Sequence, residues 1–393
     1  MLERLSGFLR FPECELYLVE KVGGTRRVVG PEPERAFLKG KGSLSGVRRC
    51  LHEQRQEHAA LLEPKTETET LHLNYQLSTS QLPTPPVRTF WLNFHLAYAC
   101  RHSGACCSSG WAIPVERDRV IPIRNLASQT DDSWLLPDPN APEEVAGTLA
   151  LQSTGHCVFH GETGCGVYAS RPASCSHFPY VCLIDPRGVH VTLSHYCPTA
   201  ASLLFAPAGP IEIVAGPSPV AGFDVPEGLD ARESLPPLES PSRLMTWQAF
   251  SDWERAEVGK ATTALTMADA IRLFEHARFA VPAPWSWVAA PTDLESSWTT
   301  LVAPSWAGFA VVVQRYRAAR VFASWSAYAE DGLAAVLRVA EIADAVLRVE
   351  AVRQCVTAGR VLDAELLTQA IRQSDLLLVH YADSRVLSSG TAS

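Results

Sequence analysis

The chain has 393 residues, 47% hydrophobic and 19% charged, with a formal net charge of −8. The composition is typical of a globular chain and excludes an intrinsically disordered one, and the length predicts two or three domains. The acidic charge argues against broad nucleic-acid binding, which requires a basic surface. No apolar run approaches the ~18 residues of a membrane span, and residues 1–13 contain no apolar signal-peptide core. The sequence therefore predicts no membrane span and a cytoplasmic protein.

Residues 1–86 form the first predicted segment, a mixed region that ends in a linker. Residues 16–22 and 26–29 alternate in a manner that favours two strands paired across Gly23-Gly24. Residues 42–62 favour a polar helix. Residues 78–86 contain three prolines and are interpreted as the linker.

Residues 87–206 form the second predicted segment, which holds eight of the eleven cysteines. Residues 87–99 are aromatic and β-rich and predict one strand, and residues 112–115 predict another. A short helix is expected from Pro142, and a further helix over residues 198–205.

The remainder is predicted to be a connection followed by helices. Residues 207–244 are rich in proline and form an extended connection, with a short strand expected at 211–215. Residues 245–393 carry apolar residues at helical spacing and form a helical domain. Its predicted helices cover residues 245–258, 267–279, 306–324, 333–358 and 363–381.

The cysteines of the second segment predict a metal site. A reducing cytosol and an odd cysteine count both disfavour a disulfide framework. Tight loops hold mutually repelling thiolates close together before a cation binds, and Gly104 and Arg171 suit this role by turning the chain and offsetting negative charge. The predicted metal ligands are Cys100, Cys106, Cys107, Cys157, Cys165, Cys175 and Cys197.

The spacing leaves the type of metal open. No pair of Cys-x2-Cys knuckles is present, so the site is not a zinc finger, and the spacing differs from that of the ferredoxins. The ligands outnumber the four that one zinc ion needs, which favours a cluster with bridging sulfides or more than one metal. The isolated cysteines are interpreted as packing residues: Cys14, Cys50, Cys182 and Cys355.

Two blocks of sequence resemble the YkgJ-type cysteine-cluster family, whose domain chelates zinc or iron. The first block is Cys100-x5-Cys106-Cys107. The second is Cys157 followed by Cys165-Gly-Val-Tyr-Ala-Ser-Arg-Pro-Ala-Ser-Cys175 and a proline four residues later. Ser103 departs from the family pattern, which has a cysteine there. The resemblance covers residues 88–205.

Within the same region the chain has a looser similarity to the flagellin lysine N-methylases. Residues 106–113 and 193–201 carry this similarity. It implies an iron–sulfur cluster, of the 4Fe-4S type, together with S-adenosylmethionine as a cofactor and a lysine-bearing protein as substrate. The alternative is a non-catalytic chelator, carrier or scaffold that holds zinc or iron. The predicted fold is α+β: a small, loop-rich cysteine-cluster domain with short strands, followed by a helical C-terminal half.

Overall fold

A computed structural model describes most of the chain. The described residues are strands 8–10, 16–22 and 25–31, together with 88–127, 132–162, 164–207, 209–220, 226–240, 242–262, 264–279, 293–382 and 387. The predicted helix at 42–62, the linker at 78–86, Cys14 and Cys50 lie outside them. No helix in these ranges is long and apolar enough to cross a membrane.

The fold is α+β, as predicted, and separates into two compact units. The smaller unit comprises residues 1–86 and 238–244. Its strands β1 (Phe8–Arg10), β2 (Leu16–Val22) and β3 (Thr25–Pro31) form an antiparallel sheet. The predicted pairing of β2 with β3 is thereby confirmed, with Val22 opposite Thr25.

The larger unit comprises residues 87–237 and 245–393 and is built on a five-stranded mixed sheet. The strand order is β12 (Ile213–Gly216), β4 (Thr89–Leu92), β11 (Gly188–Leu193), β10 (Tyr180–Asp185) and β13 (Leu229–Asp230), and β10 and β11 form an antiparallel hairpin at its centre. The β4 strand is shorter than predicted, because residues 93–95 turn into a 3-10 helix. Two strands from the predicted proline-rich connection, β12 and β13, complete the sheet edges.

Smaller sheets follow the β4 strand along the chain. Strands β5 (Pro114–Glu116), β7 (Val145–Leu149) and β6 (Leu135–Leu136) form one sheet. Strands β8 (His160–Gly161) and β9 (Gly164–Cys165) pair in a hairpin, with two residues in each strand. The helix expected from Pro142 is wrong: Val145–Leu149 is a strand, because it pairs with neighbours on both of its edges. The strands are β4 (Thr89–Leu92), β5 (Pro114–Glu116), β6 (Leu135–Leu136), β7 (Val145–Leu149), β8 (His160–Gly161), β9 (Gly164–Cys165), β10 (Tyr180–Asp185), β11 (Gly188–Leu193), β12 (Ile213–Gly216), β13 (Leu229–Asp230), β14 (Leu238–Ser240) and β15 (Arg243–Leu244).

The C-terminal half is helical, as expected from its apolar periodicity. Side chains of Thr246, Thr266 and Asp363 each accept a backbone N–H and so cap the helices that follow them. The helices are α1 (Ala105–Ser108), α2 (Arg117–Ala127), α3 (Ala173–His177), α4 (Pro198–Leu203), α5 (Trp247–Val258), α6 (Met267–His276), α7 (Leu294–Ser297), α8 (Ala303–Trp306), α9 (Ala310–Val321), α10 (Leu333–Ala358) and α11 (Ala364–Asp375).

One hydrophobic core joins the central sheet to these helices. Leu92 and Leu183 of the sheet belong to the same buried cluster as Val346 of α10 and Leu367 of α11. A second buried cluster surrounds the cysteines and includes Trp134. The segment boundaries predicted at residues 206 and 244 stay predictions.

Candidate metal centre

Five of the predicted ligands lie on short elements around one small core. The α1 helix carries Cys106 and Cys107, and Cys157 forms an isolated β-bridge with Leu151. Two further ligands, Cys165 on β9 and Cys175 on α3, complete the set. All five belong to the same hydrophobic cluster.

A left-handed turn at Gly104 starts the α1 helix. Gly104 has a φ of 71°, and a Cβ there would lie 2.6 Å from the Nε2 atom of His160. Glycine is therefore needed both for the backbone conformation and for the approach of His160. This confirms the predicted sharp turn before Cys106.

Backbone hydrogen bonds fasten the separate cysteine loops to one another. The N–H of Cys157 donates to the carbonyl oxygen of Cys107 at 2.7 Å, and the N–H of His160 donates to that of Cys157 at 2.9 Å. His160 pairs with Cys165 across the β8–β9 hairpin. This chain of backbone bonds places three cysteines from distant sequence positions side by side.

The thiol of Cys107 lies at the centre of the group. Its sulfur is 4.0 Å from that of Cys106, and the thiols of Cys157 and Cys165 lie near enough to act on its pKa. Two thiolates on one tetrahedral zinc ion, each at ~2.3 Å, would be about 3.8 Å apart. A thiol has a single S–H, so Cys107 donates to only one neighbouring sulfur at a time.

The same contacts shift the pKa values of the thiols in opposite directions. Hydrogen bonding to Cys107 lowers the pKa of Cys106 and of Cys157, and it lowers the pKa of Cys165 to about 6. The pKa of Cys107 itself is raised, because its hydrogen bonds to these neighbours favour the protonated thiol. Thiolate is the form that binds metals, so the outer members of the group are prepared to act as ligands.

Cys175 and Arg171 occupy the edge of the group. Burial raises the pKa of Cys175, and the nearby thiols Cys106, Cys157 and Cys165 raise it further. Arg171 acts in the opposite direction on the pKa of Cys175 and contributes to the lowered pKa of Cys165. The guanidinium lies 3.9 Å from the ring centre of Tyr168, and its Nε donates to Ser176 at 3.1 Å, so the charge is held in place.

A carboxylate that sequence reasoning missed holds the α3 helix. The N–H of Ala173, at the start of α3, donates to both carboxylate oxygens of Glu116, at 3.1 and 3.3 Å. Pro172 at the N-cap offers no side-chain acceptor, so Glu116 on β5 supplies the cap from 57 residues away. No local sequence pattern predicts a cap from so distant a residue.

The other two predicted ligands, Cys100 and Cys197, lie in a different environment. Cys197 is buried against the central sheet, and its sulfur is 3.7 Å from the hydroxyl of Tyr98. Cys100 is exposed and raises the pKa of Tyr98, a smaller effect than the burial and the Cys197 thiol that act on the same hydroxyl. The role of these two cysteines as ligands stays a prediction. The interpretation of Cys182 and Cys355 as packing residues agrees with their complete burial in hydrophobic clusters.

The five thiols belong to one cluster but do not form a closed coordination sphere. In the described ranges, no three side chains of His, Cys, Asp or Glu are arranged around a common point as metal ligands. Every cysteine in those ranges is a free thiol. The donor set is rich in sulfur, which suits a thiophilic metal such as zinc or iron.

Comparison with known proteins gives one family match. Residues 99–198 match the CxxCxxCC family, described as "Putative zinc- or iron-chelating domain", which confirms the resemblance to the cysteine-cluster family. No curated protein and no solved structure matches the chain. These comparisons do not show the similarity to the flagellin lysine N-methylases.

Proposed function

We propose that residues 99–198 hold an iron–sulfur cluster through thiolates of the group around Cys107. The single observation that carries this proposal is the presence of five cysteines in one buried cluster, in which the sulfurs of Cys106 and Cys107 are 4.0 Å apart. A metal that replaces the thiol protons would bind several sulfurs at once and offset the repulsion between thiolates. The zinc- or iron-chelating family match supports metal binding by the same residues.

The thiols are numerous enough to supply all the protein ligands of an iron–sulfur cluster. Five of them belong to one hydrophobic cluster, and a 4Fe-4S centre needs four cysteines. A cluster of the 4Fe-4S type offers four iron sites for these sulfurs, and three thiolates would leave one iron free for a further ligand. Arg171, beside Cys165 and Cys175, offsets part of the negative charge of such a site.

Anaerobic purification tests the proposal directly. We expect a brown protein with bound iron and acid-labile sulfide in similar amounts, and Cys107→Ser should lose most of both. Cys182→Ser is the matched control, because Cys182 is buried in the same half of the chain but belongs to a different cluster. A colourless protein with stoichiometric zinc would refute the iron–sulfur assignment and support the chelator alternative. Full metal content in Cys107→Ser would remove that thiol from the site.

Methyl transfer from S-adenosylmethionine to a protein lysine is a separate proposal, which rests on the similarity of residues 106–113 and 193–201 to the flagellin lysine N-methylases. The reaction needs a neutral lysine aligned with the methyl sulfonium. Calorimetric titration of the metal-loaded protein with S-adenosylmethionine is its first test. Measurable binding supports an enzyme, whereas the absence of binding favours a carrier or scaffold.

A further inference from the structure

A cavity of about 690 Å³ lies within the larger unit. Residues of the β10–β11 hairpin, α3, α9 and the C-terminal turns line it. This volume is in the range of sites that enclose a small organic ligand. The cavity is separate from the thiol group around Cys107, and none of the five thiols lines it.

One wall carries the guanidinium of Arg320, whose side chain is only 9% exposed. Its Nη2 donates to the carbonyl oxygen of Leu193 at 3.3 Å, and its Nη1 lies 3.4 Å from Oδ1 of Asp375. Its Nε has no acceptor among the described residues. Arginine has five N–H donors, so this side chain retains donors that the protein does not use.

Asp375 forms only a long ion pair with Arg320. Its Oδ2 accepts the backbone N–H of His195 and lies 3.2 Å from the Nδ1 of the same residue. Only Oδ1 faces Arg320, at 3.4 Å, whereas a close charge-assisted pair has a separation of about 2.8 Å. A ligand carboxylate could therefore form a closer pair with the guanidinium than Asp375 does.

Further polar and aromatic groups surround the same space. Ser194 Oγ is 3.4 Å from Nε2 of His380, and both residues line the cavity. The ring of His380 is 4.0 Å from that of Trp111, and Phe178 packs edge-on against Trp111. Aromatic walls of this kind favour a planar apolar body. Glu227 also lines the cavity, but it is more than half exposed, so solvent screens its charge.

We propose that this cavity binds a small organic carboxylate with a planar apolar body, which places its carboxylate on Arg320 and Ser194 and its body against Trp111 and Phe178. The test of this site measures ligand affinity, whereas the test of the iron–sulfur proposal measures metal content, so either can fail while the other succeeds.

The test measures binding of 2-naphthoate to the purified full-length protein by isothermal titration calorimetry, with the neutral isostere 2-naphthamide alongside. We expect 2-naphthoate to bind at least tenfold more tightly than the amide. Arg320→Gln should reduce this preference to less than twofold. Arg317→Gln is the matched control: Arg317 is also buried on α9 and pairs with Glu257 at 2.7 Å, but it does not line the cavity.

Three outcomes would overturn the proposal: equal affinity of the acid and the amide for the wild-type protein, no binding of either, or an unchanged preference in Arg320→Gln. Equal loss of binding in Arg317→Gln would also overturn it, because the effect would then come from damage to the helix. If Arg320→Gln does not fold, the comparison of acid with amide on the wild-type protein remains decisive.

Discussion

Replacement of Arg187 by methionine should strongly destabilise the larger unit. Arg187 follows β10, and its Nη2 lies 2.7 Å from Asp185 Oδ2 while its Nη1 lies 3.0 Å from Glu254 Oε2 on α5. The three side chains are 9%, 0% and 2% exposed, in that order. The two ion pairs of Arg187 therefore link the central sheet to the helical half inside the protein, where water cannot replace the guanidinium.

The magnitude follows from what the substitution leaves behind. Removal of one partner from a buried ion pair costs roughly 3–5 kcal/mol, because the other charge stays buried without compensation. Asp185 retains the hydroxyl of Tyr328 at 3.1 Å, and Glu254 retains the N–H of Ala323 at 3.2 Å. These neutral donors soften the loss, so we expect a fall of about 4 kcal/mol in the free energy of unfolding at pH 7.5.

The chain offers a matched control in Arg232. Asp230 and Arg232 repeat the Asp-x-Arg spacing of Asp185 and Arg187, and each arginine donates its backbone N–H to the aspartate. The Arg232–Asp230 pair, however, is 53% and 49% exposed. An exposed pair contributes little to stability, so Arg232→Met should leave the free energy of unfolding almost unchanged.

The pH dependence provides a second, independent check. Burial raises the pKa of Asp185, but the nearby ring of His190, 3.3 Å away, and the hydrogen bonds from Arg187 outweigh it and hold the pKa well below its usual range. In the wild type, this stabilisation is present above the unfolded pKa and is lost as the pH falls through the folded pKa. Without Arg187, only His190 opposes the effect of burial, so the pKa of Asp185 rises and its carboxylate takes up a proton more readily. The cost of Arg187→Met should therefore shrink in acid, by at most about 1.4 kcal/mol per pH unit and carboxylate.

Urea unfolding of both variants and of the wild type, followed by circular dichroism at pH 7.5 and pH 5, measures these differences. All three proteins must be in the same metal state, because bound metal adds to the free energy of unfolding. A cost for Arg187→Met within 1 kcal/mol of that for Arg232→Met would refute the assigned role of the buried pair. So would a cost that is equal at both pH values.

Three further changes address other parts of the molecule. Cys165→Ser should lose most of the bound metal, whereas Cys355→Ser should keep it, because Cys355 is buried in the helical core; metal analysis decides, and equal losses would contradict the division. Burial raises the pKa of Asp344 from 3.8 to about 7. Below pH 4 the carboxyl is protonated in both the folded and the unfolded state, and the folded state loses stability as the pH rises from about 4 to about 7. Asp344→Asn should therefore be more stable than the wild type at pH 8, by up to about 4 kcal/mol in urea unfolding, with no gain at pH 4. Glu116→Ala removes the cap of α3 and should lower the free energy of unfolding by about 1 kcal/mol and weaken metal retention against a chelator; unchanged retention would show that α3 does not need this cap.

The helical half could be predicted from the sequence because its signals are local. The predicted helix over residues 333–358 coincides with α10, whose apolar residues recur at helical spacing and which ends at Gly359 with a φ of 64°. The β2–β3 hairpin was equally predictable, since its two strands are joined by two glycines. The strand at Val145–Leu149 was mispredicted as a helix because its pairing partners, Pro114–Glu116 and Leu135–Leu136, come from elsewhere in the chain.

The sequence by itself determined that a cysteine-rich segment is present and which residue types it offers, because the spacing of thiols and the Arg-Pro-x2-Cys block are visible in one dimension. Only the tertiary structure decided which sulfurs meet. Cys100 is six residues from Cys106 yet lies near Tyr98, whereas Cys157 is fifty residues from Cys107 and is bonded to it through the backbone at 2.7 Å. Proximity of this kind arises from hydrogen bonds between distant loops, and it cannot be predicted from the number of intervening residues.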